Sequence, residues 1–238
     1  MAAHPSARLV ASRELLEREF DRYQAAAGEQ ISYGSAIAQW LAAQLPGTDT
    51  VQLGWGILAV TALLCPDSCP VLASGKRQQK PGERWGERTS MILASRVGEA
   101  LVESADQANG HSGHALEVGP ELALFDMSGV YSEFTGLPSS SSPDAAPVDL
   151  RREFHQAMAD GLGEIHQCLT DELPGADLTA IGWGLIGSGM CLLAQASKVA
   201  PPHRLWPGAR RRGNFRASAM RSALFLAAVG DYLVNPMV

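Results

Sequence analysis

The sequence predicts an all-α protein, an internally duplicated helical bundle of two similar three-to-four-helix halves. Three observations predict it. No stretch alternates apolar and polar residues with the period of a strand. Apolar residues recur at steps of three and four in two separate regions. A twenty-residue segment also occurs twice, with a spacing of 128 residues. Ile37 to Gly56 reads IAQWLAAQLPGTDTVQLGWG, and Ile165 to Gly184 reads IHQCLTDELPGADLTAIGWG, with ten of twenty positions identical and no gap. A period this long is not that of a solenoid, whose repeats run 20–50 residues. It points to two fused halves related by a pseudo-twofold axis. Residues 1–138 form the first half, the Ser/Pro-rich stretch 139–147 is a linker, and 148–238 form the second.

The first predicted helix spans Ser6 to Ala27, rich in Glu, Arg, Leu and Ala. Tyr33, Ile37, Trp40 and Gln44 then mark one face of a helix, and Phe154, Met158, Gly161, Ile165, Cys168 and Glu172 mark a single helix at the same offset. Leu-Pro-Gly, at 45–47 and 173–175, ends both. Asp49 and Asp177 follow as N-caps, because a carboxylate there can accept from orphan amides. The next helix in each half is apolar all round, which predicts a central, fully surrounded position. A basic loop and a third helix, from about Arg88 or Arg216, complete each half. At the same spacing Arg88 matches Arg216, Ser90 matches Ser218, and Glu103 is paired with Asp231. Ala115 to Phe134 is a weaker helical stretch, interrupted by Gly119, Pro120 and Gly129.

With 238 residues, 46% of them hydrophobic, the chain can bury a sizeable core and is not a disordered one. Its formal charge of −6 argues against a protein that coats nucleic acid with its whole surface. The first twenty residues carry six charged side chains, so no secretory signal is expected there. Four cysteines are too few for a disulfide scaffold and read as reduced thiols of a cytoplasmic protein. Val51 to Cys65 carries no charge, but as a helix it rises only about 22 Å, short of the ~30 Å hydrocarbon core. Leu178 to Ser197 is longer and holds four polar residues. The two are copies, so both read as buried helices of a soluble protein with no membrane partner.

Charge is unevenly placed. Twelve of nineteen Lys and Arg residues lie in the two related loops and the helix starts after them. Seven stand between Lys198 and Arg221 with no acidic residue among them. Guanidinium forks match phosphate and carboxylate geometry, and helix N-termini favour negative charge. An anionic ligand is therefore the expected partner, held by Arg88, Arg216, Arg210 and Arg212, with Ser90 and Ser218 as further donors. Trp55 and Trp183 would supply flat apolar walls. If the protein is an enzyme, Glu103, Asp231, His155 or His166 would serve as general acid or base, and a carboxylate or imidazole must share a pocket with an arginine.

Other motifs carry less. Gly182-Trp-Gly-Leu-Ile-Gly187 spells the dinucleotide-binding pattern, but that pattern needs a strand-to-helix turn inside a βαβ unit, and some fifty residues remain after it. Small residues that let central helices approach closely explain these glycines better. His111 and His114 form H-x-x-H in a Gly/Ser stretch, whereas His155 and His166 are about 16 Å apart along a helix and cannot share one ion. Cys65 and Cys69 lack the two further ligands of a structural zinc. Hence no metal is expected, and the sequence names no cofactor. The leading expectation is a soluble protein that binds an anionic, partly apolar small molecule between helices. A regulatory protein docking partners through its basic loops is the alternative, and a nucleic-acid binder using Trp85, Trp206 and Phe215 is a third reading. Assembly as a homo-oligomer is compatible with all three.

Overall fold

The computed structural model describes residues 5–27, 33–65, 83–105, 116–124, 127–136, 150–196 and 209–235. All regular structure among them is helical. The helix α1 (Ala7–Ala27) is followed by α2 (Tyr33–Gln44), α3 (Thr50–Leu64) and α4 (Glu83–Ala105). Two short helices come next, α5 (Pro120–Ala123) and α6 (Ser128–Thr135), where the sequence suggested one interrupted helix. The chain continues through α7 (Leu150–Ala157), α8 (Ala159–Glu172), α9 (Leu178–Ala196) and α10 (Ala209–Val234). The linker at 139–147 and the His111/His114 stretch lie outside the described residues.

The helix ends follow local chemistry. Gly47 and Gly175 have φ of 83° and 80°, the left-handed conformation in which glycine closes a helix without a Cβ penalty. Asp49 then caps α3, its Oδ1 accepting from the amides of Val51 and Gln52 at 3.0 and 3.1 Å. Asp177 caps α9 in the same way, accepting from Ala180 at 3.0 Å. Both caps stand where the sequence placed them.

At the centre run α3 and α9. Leu53 through Leu63 are buried without interruption, as expected of a helix with no polar face. Each of these helices packs antiparallel against the next long one, and glycines set the distance. A Cβ on Gly54 would lie 2.5 Å from the carbonyl oxygen of Gly98, and one on Gly182 would lie 2.6 Å from that of Gly230. The outer glycine of each Gly-Trp-Gly faces the other central helix, Gly56 against Ile181 and Gly184 against Leu53. The pattern Gly182 to Gly187 thus lies within a continuous helix and forms no phosphate-binding turn.

Gly54 and Gly182 are 128 residues apart, but their partners Gly98 and Gly230 are 132 apart. The second connection is therefore four residues longer. Glu99 and Asp231 each follow their contact glycine by one residue, whereas Glu103 stands five residues after Gly98.

One helical stretch among the described residues, Phe215–Val234, is long and apolar enough to cross a membrane, and 61% of its apolar window is buried inside the protein.

Candidate functional site

Two features of α10 concentrate the chemistry: a buried polar cluster near its C-terminal end and an exposed stripe near its start. The cluster forms where α6 and α7 cross α10. Asp231 is buried at 3% exposure, one residue after the glycine that brings α10 against α9. Arg151 enters from the first turn of α7 and holds both carboxylate oxygens, with Nε 2.8 Å from Oδ2 and Nη2 3.3 Å from Oδ1. Asn235, one turn on, donates to Oδ1 at 3.0 Å. The hydroxyl of Tyr131, on α6, donates to Oδ2. Its oxygen also lies 3.4 Å from Nε2 of His155, which is 2% exposed. The hydroxyl has one proton and gives it to Asp231, so the hydrogen on this second contact belongs to Nε2.

Rings wrap this group. Tyr131 and Phe154 sit 5.2 Å apart, Tyr232 meets His155 edge-on at 5.2 Å, and Phe134 and Phe225 extend the cluster at 5.7 Å. Burial, and then the charge of Asp231, raise the Tyr131 hydroxyl well above the ordinary tyrosine value. Tyr131 therefore keeps its proton and acts as a donor. Both oxygens of Asp231 are already taken by protein donors. The Asp231 carboxylate is fully engaged, and the network locks α6 and α7 to α10.

The exposed stripe is different. Arg216, Ala217, Met220 and Arg221 face solvent at helical spacing, and Leu224 and Phe225 continue the row half-buried. Met220 keeps 38% of its surface exposed. The guanidinium of Arg221 lies 5.7 Å above the ring of Phe134 and is 3.6 Å from the exposed carboxylate of Glu133. Cationic heads and apolar surface thus adjoin on one helix face, beside the aromatic cluster.

The structure brings two of the proposed acid/base residues together, Asp231 and His155, with Tyr131 between them. Glu103 is exposed on α4 and pairs with Arg13 at 3.6 Å. His166 sits half-exposed on α8, apart from the cluster. Ser90 is buried and donates to the Ala219 carbonyl at 2.6 Å, joining α4 to α10. Ser218 is also buried. Trp55 is core, with the Arg13 guanidinium 5.5 Å from its ring, while Trp183 is half-buried on α9. The backbone of Arg88 lies in the second turn of α4 and those of Arg210 and Arg212 in the first turn of α10, and their side chains fall outside the described residues. So do Lys76, Arg77, Lys80, Lys198 and Arg204.

Tyr131, Arg151 and Glu99 were not singled out from the sequence. A signal for Glu99 exists in the sequence. Val97-Gly98-Glu99-Ala100-Leu101-Val102 matches Val229-Gly230-Asp231-Tyr232-Leu233-Val234 at a spacing of 132.

A shallow depression between α1, α3 and α8 encloses about 250 Å³ including its open mouth, lined in part by Leu9, Ala59, Leu63, Cys168 and Glu172. Among the described residues no three His, Cys, Asp or Glu side chains are grouped to hold a metal ion. No model of a protein family, no curated protein and no solved structure matches the chain.

Proposed function

We propose that this chain is a soluble binding protein that takes an anionic, partly apolar small molecule along the exposed face of α10. The observation that carries the reading is the adjacency of Arg216 and Arg221 to Met220, Leu224 and the Phe134–Phe225 pair. Arg210, Arg211 and Arg212 precede them on the same helix, with no acidic residue from Lys198 to Arg221. The guanidinium groups take the negative head through charge-assisted hydrogen bonds, and the apolar side chains cover the rest of the ligand. Binding is favoured over catalysis because the Asp231 carboxylate has no oxygen left for a substrate. The ligand lies on a helix face here, not between helices.

Native mass spectrometry of the full chain tests this, after incubation with nucleotides, acyl-thioesters and aromatic organic acids. An adduct of one of these classes, lost when Arg216 and Arg221 are both replaced by Ala, supports the reading. A bare mass with every class removes it and favours docking of a macromolecular partner on the same basic surface.

The two halves are further inferred to be copies of one unit, related by a pseudo-twofold axis between α3 and α9. Gly56 meets Ile181 while Gly184 meets Leu53, and these four positions exchange at a spacing of 128. Reciprocal contact of this kind is what a twofold produces. We place the protein in the cytoplasm, where the thiols of Cys65, Cys168 and Cys191 would stay reduced.

A further inference from the structure

The position corresponding to Asp231 in the first half is Glu99, and its surroundings differ in one respect that matters. The Glu99 side chain is 1% exposed, in the joint where α1 lies on α4. Arg96, from its own helix, engages one oxygen, Oε2. The other, Oε1, is buried with no hydrogen-bond partner among the described residues. The helix that covers it brings one nearby cation, Arg13, whose pull on the Glu99 carboxyl is outweighed by the like charge of Glu17 on the same helix. Arg13 of α1 is directed to Glu17 and Glu103, at 3.7 and 3.6 Å. Glu17 of α1 and Glu103 of α4 add like charge. The described lengths of α2 and α3 carry no acidic or basic side chain.

We propose that α1 is a strap whose docking on α4 is controlled by a single proton on Glu99. The strap is built for release. Leu9, Leu16 and Phe20 are its buried apolar side chains, and Phe20 stacks on the Arg96 guanidinium at 4.6 Å. At its start, Ser6 and Arg8 hold Glu172 of α8. Release uncovers Trp55, over which Arg13 lies, and removes one wall of the depression between α1, α3 and α8.

The direction follows from burial. With α1 docked, desolvation is the largest influence on the Glu99 carboxyl, partly offset by Arg96, and lifts it from the ordinary 4.5 to about 7. With α1 released the carboxyl returns toward the ordinary value. The docked state therefore binds the proton more tightly, and acid favours docking. That contribution is fully present below about pH 4.5, declines through the window up to about 7, and is gone above it.

Hydrogen exchange of α1 in the full chain, followed by mass spectrometry between about pH 5 and 8 and corrected for intrinsic rates, tests the proposal. In the wild type the opening constant of α1 rises about tenfold per pH unit up to about pH 7 and then levels off. Glu99→Gln, which mimics the protonated side chain, holds the acid value across the range. Glu17→Gln removes a facing like charge and moves the levelling-off to lower pH. The proposal is overturned by a pH-independent α1 in the wild type, by the same slope in Glu99→Gln, or by an unmoved levelling-off in Glu17→Gln.

Discussion

Gly182 and Gly230 meet backbone to backbone, so close that a Cβ on the first would sit 2.6 Å from the carbonyl oxygen of the second. Gly54 and Gly98 make the same contact in the first half of the chain. Neither contact can relax by moving a flexible side-chain end, because the atom met is backbone. Gly98→Ala and Gly230→Ala are each expected to destabilise the fold by about 2 kcal/mol, overpacking outweighing the gain of roughly 1 kcal/mol in helix propensity. Gly161→Ala, where a Cβ would meet nothing within 4 Å, is the control and should be neutral or stabilising. Urea unfolding midpoints measure all three.

The cluster around Asp231 makes a graded prediction. Tyr131→Phe removes the hydrogen bond to Asp231 and the longer contact from His155 but leaves Asp231 held by Arg151 and Asn235, so it should cost about 1–2 kcal/mol. Asp231→Ala strands the buried Tyr131 hydroxyl as well and should cost about 3 kcal/mol. Chemical denaturation of both variants gives the order, and equal losses would remove Asp231 from the centre of the network.

Loss of the N-cap on α3 is a local test. Asp49→Ala leaves the amides of Val51 and Gln52 without an acceptor and should cost about 1 kcal/mol, whereas Asp49→Asn should keep most of the stability. Thermal unfolding distinguishes them.

Cys191 offers a pH-dependent prediction. Burial, with Glu121 adding to it, pushes its thiol up to about 11. At pH 8 about one thiol in a thousand is then ionised, against about a quarter of free cysteine. Alkylation by iodoacetamide, followed by peptide mapping, should be at least about a hundredfold slower than for free cysteine and should speed up about tenfold per pH unit.

The parts of this fold legible in the sequence are those set by local chemistry. Leu-Pro-Gly ends, aspartate caps and the all-apolar run from Leu53 to Leu63 each announce themselves within one or two turns. The likeness of Glu99 to Asp231 was not legible at a single fixed spacing, because Gly54 to Gly98 and Gly182 to Gly230 are intervals that differ by four residues. Arg88 and Arg216 then match by position alone, while the glycine contacts align Glu99 with Asp231. Arg151 and Tyr131 were hidden for another reason. They reach Asp231 from segments 80 and 100 residues away in the chain, and only the packing of α6 and α7 on α10 brings them together.

The ligand face of α10 is the central claim, and anilinonaphthalene sulfonate is a direct probe of it, being both anionic and apolar. Its fluorescence is titrated against the wild type and against a variant carrying Arg216→Ala and Arg221→Ala, at two salt concentrations. Saturable binding that weakens at least tenfold in the variant and falls with salt, while helix content and melting temperature stay unchanged, is the predicted result. Equal affinity in the two proteins would contradict it and place the anion elsewhere on the molecule.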